Sequence, residues 1–323
     1  MLTLSQIVQA RARIASRVLR TPLESSSTIG RLCGNEVYLK AENLQKTGAF
    51  KFRGALNALL SLAAEEGERG VVTASSGNHG QAVACAAGLL GYRAVVVVPV
   101  DASEAKVDAI RGYGAEVVAC GTTSTERLDK AADLVRRDGM TFVHPYDDER
   151  VMAGQGTIGL EIVDILPDVD AVLVPIGGGG LISGVATALK EIRPSIAVYG
   201  VEPKQSNSMA LSLRAGKRTA LEGIETLADG LRTTMPGEKT FDVVRRLVDD
   251  VLLVEEEAIV EAMVLLLERA KVLVEPSGAV SVAALLSGLF PLKGKKIVAV
   301  LSGGNVALGR LAEILASADR KRP

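Results

Sequence analysis

The chain has 323 residues, enough at roughly 150 residues per domain for about two domains, each with its own core. Apolar residues make up 48% and charged residues 23%, with formal net charge −1, which excludes a disordered or fibrous chain. Five Phe, five Tyr, no Trp and no basic stripe leave nothing for nucleic acid to stack on or pair with.

The opening M-L-T-L-S-Q-I-V-Q-A-R is too polar for the apolar core of a secretion signal, so the chain is expected in the cytoplasm. A β-branched run at 36–40 predicts a strand and leads into K-A-E-N-L-Q-K-T-G-A-F-K-F-R-G, 40–54. There Lys51 lies between Phe50 and Phe52 as a helical pattern begins. Either its amine is partly desolvated, which lowers its pKa and frees it as a nucleophile, or it snorkels over the aromatics into water. The strand at 71–74 runs into Ser75-Ser76-Gly77-Asn78-His79-Gly80, followed by a helix from 81 to 90. Small residues at a helix start offer free amides, hydroxyls and an amide side chain to a carboxylate, or simply cap the helix. The apolar stretch 82–92 is about half the roughly 20 residues a membrane span needs.

Strands at 94–98 and 116–119 and a helix at 103–113 complete a middle block. Loops near 66–70 and 138–148 predict a small domain of residues 69–143, set into a larger one made of 1–68 and 144–323. The strand 171–175 then meets Gly177-Gly178-Gly179-Gly180-Leu181 ahead of a helix at 181–192. Four consecutive glycines let several amides wrap a phosphate at a helix N-terminus. A dinucleotide fold is the rival, because Glu202 ends the next strand, 197–201, but Ile182 or Ser183 stands where its third glycine belongs. A helix is predicted at 255–271. The uncharged run 276–292 is broken by Ser277, Ser281 and Ser287 and bounded by prolines, so it predicts no membrane span. The last strand, 297–301, ends in Ser302-Gly303-Gly304-Asn305, where Ser302 either meets a ligand ring atom or caps the next helix.

The βαβα alternation with near-continuous Val runs predicts an α/β fold of open, mostly parallel sheets covered by helices, with ligands at the carboxyl ends of strands. Cys33, Cys85 and Cys120 are too few and too scattered for a disulfide scaffold. With His79 and His144 the only histidines, a His/Cys zinc site is close to impossible and a Ser-His-Asp triad has few ways to form. No G-x-S-x-G elbow and no G-x-x-x-x-G-K-[ST] loop occurs. Taken together, a nucleophilic lysine, a phosphate cradle, a serine for a ring nitrogen and a carboxylate loop are the parts needed to hold pyridoxal phosphate and an amino acid.

K-A-E-N-L-Q-K-T-G-A-F-K-F-R-G-A, S-S-G-N-H-G-Q, A-G-Q-G-T-I-G-L-E, G-G-G-G-L, E-P-S-G-A and L-S-G-G-N, in this order over about residues 5–310, resemble the fold-type II pyridoxal-phosphate enzymes. Within them the closest likeness is to threonine/serine dehydratases and serine racemases. The resemblance implies two open twisted sheets of the tryptophan synthase β type. It implies that Lys51 carries the cofactor, Phe50 packs near its ring, Asn78 bonds its ring oxygen, Gly177, Gly178, Gly179, Gly180 and Leu181 hold its phosphate, and Ser302 faces its ring nitrogen. Ser76 matches the second acid/base of the racemases. Ser75, Ser76, Gly77, Asn78 and His79 are expected to bind the substrate carboxylate, with Arg127 and Thr233 as further contacts. The implied reaction is loss of water from L-threonine or L-serine to give a 2-oxo acid and ammonia. Alternatives are serine racemase and threo-3-hydroxyaspartate dehydratase. A non-catalytic amino-acid or nucleotide sensor on the same fold, or a dinucleotide oxidoreductase, stands outside that chemistry.

Ala49 stands where the family usually has Ser. The Mg2+ or other divalent-cation site of some members uses a Glu, a backbone carbonyl and an Asp; Glu202 and Ser206 fall on the first two, but the Asp position is Ser208, and a hard cation wants carboxylate oxygens. Ser26, Ser27, Lys46, Thr47, Gln81, Tyr113, Lys271 and Asn305 resemble nucleotide-contact positions of the racemase branch and imply ATP or AMP as an effector. The family also implies a homodimer or homotetramer. The chain stops near its last helix, so the isoleucine-binding regulatory domain of biosynthetic dehydratases, and feedback by isoleucine, are not expected.

Overall fold

The computed structural model describes residues 1–319. Two sheets form, and each predicted strand appears in one of them. The larger has six strands in the order β1-β2-β10-β7-β8-β9: β1 (Leu23–Ser25), β2 (Glu36–Ala41), β10 (Lys296–Leu301), β7 (Ala171–Pro175), β8 (Ala197–Pro203) and β9 (Asp250–Val254). All its pairs are parallel except β1 with β2 at one edge. The smaller is wholly parallel, in the order β5-β4-β3-β6: β5 (Glu116–Ala119), β4 (Ala94–Val98), β3 (Val71–Ala74) and β6 (Thr141–Phe142). Strands β1, β6 and β9 lie beyond the sequence expectation. Two of them have three residues or fewer, and β9 is a half-exposed edge strand. Such segments carry too few side chains to show a period.

The central strands β10, β7 and β4 are almost wholly buried, because parallel sheets are covered on both faces. The helices that cover them include α1 (Leu4–Ile14), α3 (Lys51–Leu60), α5 (Asn78–Leu90), α8 (Glu149–Ile165) and α9 (Gly180–Ile192). The core against the small sheet is not made by the middle block alone. Ile14 of α1, Phe52, Ala55, Leu56 and Leu59 of α3 and Val151 of α8 pack into it. Glycines let α3, α8 and α9 approach closely: a Cβ on Gly184 would stand 2.2 Å from the Met152 carbonyl, and one on Gly156 2.8 Å from that of Gly184.

Where these helices meet, four charges are buried together. The Arg53 guanidinium binds the Glu42 carboxylate through Nε (2.8 Å) and Nη2 (2.9 Å), and Glu161 through Nη1 (2.6 Å) and Nη2 (3.0 Å). Lys40 Nζ donates to Glu161 Oε2 at 2.6 Å and to the Thr21 carbonyl at 2.8 Å. Thr21 and Thr157 hydroxyls and the Leu19 carbonyl complete the set. Burial pushes the Glu161 carboxyl up, and Arg53 and Lys40 more than reverse it, so it stays ionised. The set is neutral and fully paired, which is the condition under which charges persist in a core.

Glu161→Ala leaves two buried cations short of a partner and is expected to cost about 3–5 kcal/mol. Urea unfolding of the variant against the wild type measures it.

Candidate active site

Strand β10 ends at Leu301 and its chain continues straight past α3. The Phe50 amide donates to the Ser302 carbonyl at 3.1 Å, and Ala49 bridges Gly303. Phe50 thereby becomes the turn from which α3 starts at Lys51, two residues before Arg53. Lys51 Nζ lies 5.2 Å from the Phe50 ring centre and donates to the Pro145 carbonyl at 2.7 Å. Desolvation lowers its pKa from the ordinary 10.5 to about 8. Of the two environments open to Lys51 in the sequence, the structure has the desolvated one.

Pro145 belongs to a loop after β6 that connects the amine to the glycines. The next residue, Tyr146, lays its ring against Gly178: a Cβ there would stand 2.3 Å from ring atoms. Gly177 abuts Leu231 and Thr233, and Gly179, at φ +94°, abuts Met209 and Thr240. The loop therefore has no room for side chains, and Gly179 needs a conformation that other residues rarely adopt. Gly180 and Leu181 open α9, and no side chain caps that helix, so its first amides remain for an anion.

The second loop is built on the same plan. Ser75 to Gly77 follow β3, α5 starts at Asn78, and again no side chain caps the helix. Ser75 Oγ accepts the Gly77 amide at 3.3 Å, while Ser76 is half-buried. The Asn78 amide group donates to Glu275 Oε1 (2.7 Å) and accepts from Asn305 Nδ2 (2.8 Å), which also donates to the Thr47 carbonyl (2.6 Å). Burial, reinforced by Asp229, raises Glu275 to about 8. His79 is buried, with Nε2 3.0 Å from the Val143 carbonyl, so that nitrogen carries the proton and donates. Burial, with the Lys51 charge added, lowers it to about 3; burial lowers His144 as well. Both histidines are thus neutral, and Lys51 and Glu275 are the groups here that titrate near pH 8. The buried Ser302 hydroxyl donates to the Ser277 carbonyl at 3.3 Å.

Not every expected residue joins this assembly. Arg127, in α7 (Ser124–Asp138), turns back on its own helix start, to the Thr122 carbonyl and the Ser124 hydroxyl. Glu202 does not present a ligand set with Ser206 and Ser208. Its two oxygens accept the amides of Met209 and Ala210, at 3.0 and 2.9 Å, in the first turn of α10 (Ser208–Ala215), and burial raises it to about 8. Ser206 Oγ donates to the Leu231 carbonyl. Among the described residues no three His, Cys, Asp or Glu side chains group as a metal site. Of the nucleotide-contact positions, Thr47 and Asn305 touch. Ser26 and Ser27 start α2 (Ser27–Cys33), Gln81 lies in α5, Tyr113 ends α6 (Glu104–Gly112), and Lys271 follows a π-helical turn. Conversely, Pro145, Tyr146 and Glu275 are site residues that the sequence reading left without a role. An aromatic directly after His-Pro at a strand end, and the Glu that opens E-P-S-G-A, were the signals present.

The family model described as pyridoxal-phosphate dependent enzyme matches residues 14–303. The L-threonine ammonia-lyase of Thermotoga maritima is 47% identical over 98% of this chain and 78% of its own. The catabolic L-threonine dehydratase of Escherichia coli is 44% identical over 98% and 97%. The solved structure of maize serine racemase superposes with a TM-score of 0.94 at 42% identity, covering 99% of this chain and 98% of that one.

A lysine amine is charged below its pKa and nucleophilic above it. In the cofactor-free protein, Lys51 is therefore expected to react with cyanate at a rate that levels off just above pH 8, where a lysine of pKa 10.5 still gains reactivity. Peptide mass spectrometry across a pH series reads this residue by residue.

Proposed function

The chain belongs to the pyridoxal-phosphate-dependent enzymes, and we propose that it removes water from L-threonine and L-serine, giving the 2-oxo acid and ammonia. One observation carries the reading: a half-buried lysine amine of lowered pKa held at Pro145, next to a glycine loop at an uncapped helix start. A binding module without chemistry needs no such lysine.

The residues fit the cofactor. The amides of 177–181 and the start of α9 would hold its phosphate, and Lys51 would bind its aldehyde carbon. Asn78 would bond the ring oxygen, Phe50 would pack near the ring and Ser302 would meet the ring nitrogen. A serine hydroxyl, unlike an aspartate, cannot keep that nitrogen protonated, which suits elimination. When bound, pyridoxal phosphate supplies the electron sink for the pair left at Cα. The uncapped start of α5 and the loop 75–79 bind the substrate carboxylate, with Thr233 beside Gly177 as a further contact. Lys51, half in its free-base form near pH 8, takes the Cα proton through that free base. Ser76 is the group that returns a proton when a D-amino acid forms instead. With Arg127 turned back on its own helix start, no guanidinium stands among the residues brought together, so a second carboxylate on Cβ finds no dedicated partner. This favours threonine and serine over 3-hydroxyaspartate.

Among the described residues no helix is long and apolar enough to cross a membrane, and we place the enzyme in the cytoplasm. Exposed Leu32, Leu44 and Leu308 support a homodimer or homotetramer, and the Thr47–Asn305 contact supports a nucleotide effector there.

Lys51→Ala is expected to lose the covalently held cofactor, trapped by borohydride and located by mass spectrometry, together with all activity. A product screen over L-threonine, L-serine, D-serine and L-threo-3-hydroxyaspartate should give 2-oxo acid and ammonia chiefly from the first two; 3-hydroxyaspartate as the best substrate would replace this reading. Ser76→Ala should suppress any serine racemisation at least about tenfold more than dehydration of the L-isomer, as loss of one positioned acid/base predicts. Chiral chromatography alongside oxo-acid assay separates the two, and an equal fall in both removes this role.

A further inference from the structure

The segment 202–210 lies directly behind the glycine loop and touches it twice. Glu202, fully buried near the end of β8, accepts the amides of Met209 and Ala210 with its two oxygens. Asn207, at the N-cap of α10, contributes no side-chain bond, so Glu202 is the cap of that helix. Met209 is fully buried, and its methyl carbon stands 2.9 Å from where a Cβ of Gly179 would be. The second touch runs through Ser206, whose hydroxyl donates to the Leu231 carbonyl at 2.8 Å. The Leu231 Cα is 3.3 Å from a Cβ built on Gly177. Two hydrogen-bonded arms thus end on the first and third glycines of the loop.

A divalent cation does not fit this arrangement. Both Glu202 oxygens already accept helix amides, and the Asp position is Ser208, which offers a neutral hydroxyl in place of a carboxylate. One carboxylate, the Ser206 backbone carbonyl and one hydroxyl are a poor donor set for an ion that takes six or more oxygens.

We propose that this region is a cation-free brace of the phosphate loop, with Glu202 and Ser206 as its positioning residues. The brace acts on whatever anion the loop holds and has no direct contact with the reacting atoms. The proposal rests on assigning 177–181 to the cofactor phosphate, but its cation half stands without that assignment.

Two measurements test it. The holoenzyme is dialysed against EDTA and returned to Mg2+, Ca2+ or Mn2+. A protein that binds no cation gains no stability from one, so Tm and the pyridoxal phosphate Kd should be unchanged throughout. A fall in Tm on chelation that a cation reverses would overturn the cation-free brace. If the wild type holds no pyridoxal phosphate, the functional reading fails, and the same chelation series on the apo-protein still decides the cation question. In Glu202→Gln an amide NH2 faces a helix amide, and the loss of one helix-cap bond should weaken pyridoxal phosphate about tenfold. Ser206→Ala, a neutral and milder change, should weaken it about threefold and carries the test if Glu202→Gln does not fold. Because the brace works on the phosphate loop, pyridoxal, which lacks the phosphate, should bind both variants as it binds the wild type. Equal weakening of both ligands, or of neither, would overturn the positioning role.

Discussion

The site depends on where α3 begins, and that is fixed by the buried Arg53–Glu42–Glu161–Lys40 set. Arg53 sits two positions after Lys51, so any shift of its guanidinium moves the reactive amine. Five elements or segments meet at this one set: β2, the short turn after it, the 19–21 segment, α3 and α8. A hydrophobic cluster of the same volume could match its stability but not its directionality. Fork-shaped bonds to two carboxylates leave α3 one orientation. The glycine contacts among α3, α8 and α9 serve the same end, because close backbones allow little sliding.

Around that fixed amine, the site is assembled from loops of both sheets. The β3 and β6 loops supply Asn78, His79 and Pro145; the β7 and β10 loops supply the glycines and Ser302. Asn78 is the joint between the two sets, held by Glu275 and Asn305 from the large sheet's side. Electrostatically the region is quiet. Its histidines are neutral, Glu275 is pushed toward its protonated form, and the amine is half-discharged near pH 8. What such a site offers an anion is its two uncapped helix starts.

Much of this was legible in the sequence because it is local. The Val-rich runs gave strands within a residue or two, and the loops after β3, β7 and β10 were marked by glycine and serine. What escaped detection is long-range. Nothing local marks Arg53, Glu42, Glu161 and Lys40 as buried; only the fold reveals that each has a partner 11 to 121 positions away. Tyr146 and Pro145 act through a backbone carbonyl and a ring packed on a glycine, and neither leaves a motif. Glu202 shows the converse: its position resembled a ligand, whereas its hydrogen bonds make it a helix cap. Thr47, held at φ +63° beside Asn305, likewise gives no sign in sequence of its left-handed backbone.

The contact of Tyr146 with Gly178 has a practical side. The chain contains no tryptophan and five tyrosines, so ultraviolet excitation reports tyrosines alone, and one of them lies on the phosphate loop itself. An anion seated on those glycines would border a natural fluorophore, Tyr146, without any label being added to the protein.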